Sequence, residues 1–229
     1  IGDVTTTYVA TNDSKIYSVT DKFAQQFADV EEQIQDMVVG NDNRLYVMTE
    51  GRKLLVYDIS GELKEPMEPT EIVNLDRGED GPFTEDQDNF RIYLGASGTV
   101  YVSGGNRLGI LKRERGVSDR ITSIWELQFV LDDDIEGVVE TLAGRLLVLS
   151  EAAIWDCFLN EDNDYVVRGL KLFDQWHTDE EGEVIRAHEI ALSKTFPSRL
   201  YVGAGEKEIF AFDIHWDYAI PEEDIKKLT

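Results

Sequence analysis

The sequence predicts an all-β fold assembled from five copies of one small antiparallel meander. Three observations carry that reading. A short apolar segment recurs five times, turn-forming residues precede each copy, and a further apolar segment follows each copy after a second turn.

The recurring segments are Lys15–Val19, Arg44–Met48, Thr99–Ser103, Arg145–Leu149 and Arg199–Gly203. Each opens on a polar residue and continues through β-branched, aromatic or leucine side chains, as in Arg44-Leu-Tyr-Val-Met48. Such a run is apolar on both faces and reads as a strand covered from both sides. Successive starts lie 29, 55, 46 and 54 residues apart. The spacing matches repeat units of about 40–50 residues built from small sheets.

The remaining elements follow in order. Turns precede the segments at Asn12-Asp13-Ser14, Gly40–Asn43, Ser97-Gly98, Gly144 and Pro197-Ser198, where Gly and Asn accept positive φ cheaply. Seven residues before each start stand Tyr8, Met37, Ile92, Val138 and Leu192, which mark a first strand in every unit. Ile34–Val39 aligns without a gap on Ile135–Glu140. Third strands are expected at Lys22–Val30, Lys53–Ile59, Leu108–Arg113, Ala153–Leu159 and Glu208–Ile214. Three of them carry an aromatic-Asp pair, Tyr57-Asp58, Trp155-Asp156 and Phe212-Asp213. Asp29, Asp58 and Asp213 all fall 14 residues after a segment start. An Asp there can bond its own nearby backbone and end the strand in an Asx turn. Fourth strands are expected at Glu71–Leu75, Ile121–Phe129 and Val166–Phe173, with almost no room for one in the first unit. Short helices are expected at Asp29–Gln35 and Pro221–Leu228. The second has Pro221 at a first-turn position, followed by acids that suit a helix N-terminus.

One meander cannot bury both of its faces, whereas radial stacking buries them all and leaves only short outer edges. The sequence therefore predicts a single five-bladed β-propeller of antiparallel, three- to four-stranded blades. The blades span about 4–33, 34–76, 89–129, 135–176 and 188–219, with a tail at 220–229. A sandwich of about ten strands is the competing arrangement, and the phased repeat favours the propeller. Arg199–Ile214 and Arg44–Ile59 resemble propeller repeats of the pyrroloquinoline-quinone type. The aromatic-Asp endings are similar to those of tryptophan–aspartate repeats, although the Gly-His element of that family is absent. The resemblance covers strand-forming positions. It implies blades and implies neither the quinone nor any other cofactor.

Composition narrows the partners. The chain has 229 residues, 46 acids, 22 bases and a formal net charge of −24. That charge argues against nucleic acid, which requires a basic surface, and against anionic lipid. Lys112, Arg113, Arg115 and Arg120 cluster, but within mixed charge they read as a solvated loop. With 10 Lys beside 12 Arg, the acidity also fits a protein adapted to high salt. Cys157 is the single cysteine, so no disulfide framework exists, and its apolar surroundings read as core. No apolar stretch approaches the ~20 residues of a membrane span, and no signal-peptide pattern is visible. These features lead us to expect a soluble protein, from a reducing compartment or from a virion, the start at Ile1 being in keeping with a component of a complex.

Motifs for chemistry are sparse. The histidines are His177, His188 and His215, and His188-Glu189 lacks the second histidine of a zinc-protease helix. Gly203-Ala-Gly205 lacks the third glycine of a dinucleotide fingerprint. Asp132–Glu136 and Asn160–Asp164 are dense in acids but read as solvated loops, the second having Lys171 where a calcium loop closes on Glu. No catalytic residue, metal site or cofactor is expected. Innermost strands offer Asp36, Glu140 and Glu189, with Arg91 in the phase of Asp36, as a polar spot on the channel face. Paired carboxylates there would be the basis of a glycoside hydrolase. The leading expectation is a non-enzymatic interaction or structural module, bound to a protein partner or to copies of itself in an assembly. Its contact loops would be 61–90, 116–136 and 174–189. A sugar-binding, lectin-like propeller is the first alternative and the hydrolase the second. Unequal loops from blade to blade count against the lectin, which needs equivalent sites.

Overall fold

A computed structural model describes residues 5–61, 66–75, 83, 89–112, 123–131, 133–142, 144–150, 153–159, 165–172, 186–193, 199–205, 208–213 and 226–227. They form five antiparallel sheets in chain order, and no helix. Sheet one holds β1 (Thr7–Ala10), β2 (Lys15–Val19) and β3 (Ala24–Asp29). Sheet two holds β4 (Ile34–Val39), β5 (Arg44–Thr49), β6 (Lys53–Asp58) and β7 (Glu71–Asn74). Sheet three holds β8 (Arg91–Leu94), β9 (Val100–Gly104), β10 (Arg107–Lys112) and β11 (Ser123–Val130). Sheet four holds β12 (Ile135–Glu140), β13 (Leu146–Ser150), β14 (Ala153–Leu159) and β15 (Tyr165–Leu172). Sheet five holds β16 (Ala187–Leu192), β17 (Arg199–Ala204) and β18 (Glu208–Asp213). The arrangement is the predicted five-bladed β-propeller.

Both expected helices are corrected. Asp29–Gln35 is the end of β3, a loop and the start of β4. A four-residue link between two paired strands leaves no length for a helical turn with its caps. Within Pro221–Leu228, Lys226–Lys227 forms β19, which pairs with Val166 and Val167 on β15. The rest of that segment lies outside the described residues.

Packing explains why the recurring strands are apolar on both faces. On β5, Leu45 and Val47 pack back against sheet one, while Tyr46 and Met48 pack forward against sheet three. The pattern repeats: Val100 and Val102 face back and Tyr101 forward, then Leu146 and Val148 back and Leu147 and Leu149 forward. Leu200, Val202 and Ala204 of β17 close the series by packing back on sheet four. Period-two alternation therefore serves two interfaces at once.

Sheet one breaks this phase. Ile16, the counterpart of Leu45 in the sequence, packs forward with Phe27 against Leu45, Val47 and Tyr57. Register and connection length show why. A register shift follows Ile16 on β2 and follows Leu108 at the same place on β10. Four residues then lead from β3 to β4, as four lead from β11 to β12. Strands β1, β2 and β3 thus correspond to β9, β10 and β11. Lys15–Val19 is a third strand rather than a second, which accounts for the short first interval of 29 residues. The first unit, where the sequence leaves almost no room for an outermost strand, has one in β3.

The repeated Arg and Asp also find a structural reason. Arg44 lies opposite Asp58, Arg199 opposite Asp213 and Lys15 opposite Asp29 across their hairpins. Arg199 holds Asp213 through Nε and Nη2 at 2.9 and 3.2 Å. Asp58 instead forms the expected Asx turn, accepting from the N–H of Ser60 at 2.8 Å. Arg145 grips Asp156 with both Nε and Nη2, and Asp156 is 0% exposed.

Candidate functional site at the central channel

The strands β4, β8, β12 and β16 lie side by side in sequence order. Between them opens a cavity of about 450 Å³. Its walls include Asp36, Arg91, Tyr93, Glu136 and Glu189, with Gly137 and Ile190 at one side.

Local backbone irregularity aims these side chains inward. Three of the four strands carry a register shift at one equivalent place, between Ile34 and Asp36, Ile135 and Gly137, and Ala187 and Glu189. A bulge re-aims the residues beside it. Here it brings polar residues of apolar strands to the channel wall. Gly137 makes room for close approach: a Cβ there would stand 2.5 Å from Ile190 Cγ2.

Asp36 is the best-held group. Its Oδ1 accepts the N–H of Met37 at 2.8 Å, and its Oδ2 accepts the N–H of Ile92 on β8 at 2.9 Å. Burial pushes its carboxyl above the usual aspartate range, and the negative charge of Glu189 adds to this; the two N–H donors and Arg91 oppose it. Arg91 donates from Nη1 to the Glu136 carbonyl at 3.1 Å and pairs with the Glu136 carboxylate at 3.5 Å. Tyr93 shares a 3.2 Å hydrogen bond with Ser103, and burial pushes its phenol up to about 12.

The structure therefore brings together three of the four residues expected at the channel, Asp36, Arg91 and Glu189. Glu140 is not among the cavity walls. It reaches from β12 to the turn of sheet three, where its Oε2 accepts from the N–H and hydroxyl of Ser97 at 2.9 and 2.6 Å. Its place at the end of β12, four residues beyond Glu136, puts it at the turn level rather than the bulge level. Glu136 takes its place in the cavity. The gapless alignment of β4 on β12 sets Glu136 against Gln35 and Gly137 against Asp36, and the bulges were the missing signal.

Chemically the cavity is a small acidic recess whose one guanidinium is already paired. Asp36 spends both oxygens on backbone donors, as a clip between strands. His188 lies outside it, with its ring nitrogens 3.2 and 2.8 Å from the carbonyl oxygens of Gly203 and Gly205. Cys157 is buried between sheets three and four, and burial pushes its thiol far above the usual range. Among the described residues no group of three His, Cys, Asp or Glu side chains could hold a metal ion. Asn160–Asp164, Arg113–Arg120 and parts of the three long insertions lie outside the described residues. No helix among the described residues is long and apolar enough to cross a membrane.

No protein-family model and no curated protein matches the sequence. Solved structures do resemble the fold. Streptogramin B lyase superimposes with a TM-score of 0.50 at 13% identity, over 91% of this chain and 65% of that one. The extracellular domain of a hybrid two-component system from B. thetaiotaomicron gives 0.49 at 13% identity, over 98% of this chain and 27% of that one. The chain thus spans less than two thirds of either. At this identity the likeness to streptogramin B lyase shows the fold alone, a β-propeller.

Proposed function

We propose that the chain is a non-enzymatic β-propeller module that binds a protein partner within a larger assembly. The observation that carries this is the forward face of sheet five. Tyr46 and Tyr101 occupy the same place in their repeats and are 2% and 4% exposed beneath the sheet that follows. Tyr201 stands at that place on β17 and is 37% exposed, and Ile209 beside it on β18 is 76% exposed. A face patterned for burial but left open is the mark of an interaction surface. The channel gives less support to a hydrolase, because Asp36 is committed to backbone donors and Arg91 to Glu136. Native pull-down with mass spectrometry tests the proposal: the wild-type chain should recover a stoichiometric protein partner, and Ile209→Glu should lose it. A wild-type chain recovered as a clean monomer would overturn it.

A further inference from the structure

A second cavity, of about 410 Å³, lies between sheets one and two. Lys53, Leu55 and Tyr57, which alternate along one face of β6, line it. Another wall is the segment Met67–Thr70, pinned at both ends. Met67 donates to the Phe27 carbonyl of β3 at 2.6 Å, and Thr70 donates to the Val56 carbonyl of β6 at 2.7 Å. Glu68 and Pro69, between these two bonds, border the cavity.

The Tyr57 hydroxyl is a group that the fold does not require. The strand partners of Leu45, Val100, Leu146 and Leu200 are Tyr57, Leu111, Cys157 and Phe212. The place is one for an apolar side chain, and the Tyr57 ring serves as one, meeting Phe27 edge-on at 5.5 Å. Tyr57 is 1% exposed, yet its hydroxyl has no hydrogen-bond partner among the described residues. Buried polar groups are nearly always bonded, and one left unpaired opposes folding. Burial pushes the phenol up to about 12, and the negative charge of Glu68 adds to this. The group is therefore neutral, able to donate and to accept.

Charge sets the sign of a ligand. Lys53 is the one cation among the lining residues, and it is paired with Glu32, which also accepts from the Thr49 hydroxyl at 2.6 Å. Asp29, Glu31 and Glu68 border the cavity too and form no ion pair among the described residues. Between Tyr57 and Lys53 lies an apolar stretch, where Leu55 stands opposite Ile72 across β6 and β7. Four residues of strand separate the two ends, about 13 Å, which is room for a short unbranched chain.

We infer that this cavity binds a primary alkylamine, its ammonium donating to the Tyr57 hydroxyl oxygen and the Glu68 carboxylate and its stem lying over Leu55 and Ile72. An ammonium has three donors and no acceptor, which suits a hydroxyl oxygen beside carboxylates. The same carboxylates repel an anion. Two sources present this chemistry, a free alkylamine and a lysine side chain of a protein partner. The lysine source rests on the interaction-module reading, and the free amine does not.

The probe is pentylamine, titrated into the whole chain and followed by methyl NMR. The methyl groups of Leu55 and Ile72 should shift, and those of Ile190 at the channel should not. Pentanol, of the same length without the charge, should bind about tenfold more weakly. Tyr57→Phe keeps the ring that the core uses and matches Phe212, so it should fold normally and weaken pentylamine about tenfold. Glu68→Gln, at an exposed position, should weaken it as well. Nα-acetyl-lysine methylamide separates the sources. Binding equal to that of pentylamine assigns the site to a lysine of a partner, and binding about tenfold weaker assigns it to a free amine. No shift at Leu55 and Ile72 in millimolar pentylamine, equal binding of pentanol, or equal binding to Tyr57→Phe overturns the inference. The Ile209→Glu capture experiment is read separately. Loss of this site leaves the interaction reading standing, and loss of that reading removes only the lysine source.

Discussion

Asp36 on β4 accepts the backbone N–H of Ile92 on β8 at 2.9 Å, joining the innermost strands of two neighbouring sheets by a side chain. Removing the acceptor leaves a half-buried donor unpaired, which costs about 1–3 kcal/mol. Asp36→Ala should lower stability by that amount in urea denaturation. Asp36→Asn keeps one acceptor and sheds the desolvated charge, so it should cost less.

The same carboxyl predicts a pH trend. Its pKa is raised in the folded protein, chiefly by burial. The folded state therefore holds this proton more tightly than the unfolded chain does. The stabilisation is fully present below the ordinary aspartate range and is lost as pH rises through the folded value. Wild-type stability relative to Asp36→Asn should fall as pH rises from about 3 to 7. Paired denaturation curves across that range check it, and a difference that grows with pH would contradict the burial of Asp36.

Arg145 and Asp156 form a bidentate pair in which the carboxylate is wholly buried. Arg145→Met strands that charge and should cost about 3–5 kcal/mol, with much of the loss recovered when Asp156→Leu is added. The exposed pair of Arg199 and Asp213 has the same chemistry without the burial. Arg199→Met should cost far less, because water screens an exposed pair. Chemical denaturation of the three variants beside the wild type makes the comparison.

Gly137→Ala places a methyl 2.5 Å from Ile190 Cγ2, at the contact between β12 and β16. Overpacking of this kind costs about 1–3 kcal/mol. Gly61→Ala, with nothing within 4 Å, should be neutral, and thermal melts of the two variants make the comparison.

Cys157 is buried and its thiol is held protonated by its surroundings. It should resist a thiol reagent such as Ellman's in the native protein and react promptly in denaturant. Fast native labelling would mean that the seam between sheets three and four opens.

Much of this fold is legible in the sequence because the same physics repeats. Apolar runs such as Arg44–Met48 had to be covered on both faces, and turns such as Gly40–Asn43 set the hairpins. What misled was local similarity. Lys15–Val19 has a similar preceding turn and, like three of the other four segments, an aliphatic residue followed by Tyr, yet it is a third strand. Its packing, Ile16 forward with Phe27, and the register shift after Ile16 separate the two cases. The channel was half legible. Strand phase placed Asp36, Arg91 and Glu189, but the bulges that turn Glu136 inward leave no mark in composition, and Glu140 was drawn to Ser97 by a turn in another sheet. The pairing of Arg199 with Asp213 was within reach, since the 14-residue spacing is that of cross-hairpin neighbours.

The four hydrophobic clusters each join one sheet to the next, from sheet one to sheet five. Linked in this way, the sheets act energetically as a row of beads in which each senses its neighbours alone. Cooperativity is then set by how strong each seam is relative to the sheet it joins. Among the described residues the terminal sheets hold one cluster apiece, and they should fray before the middle of the row does. Melting followed by a probe in sheet five and by one in sheet three should give two curves rather than one, and a ligand seated at the ends should draw them together.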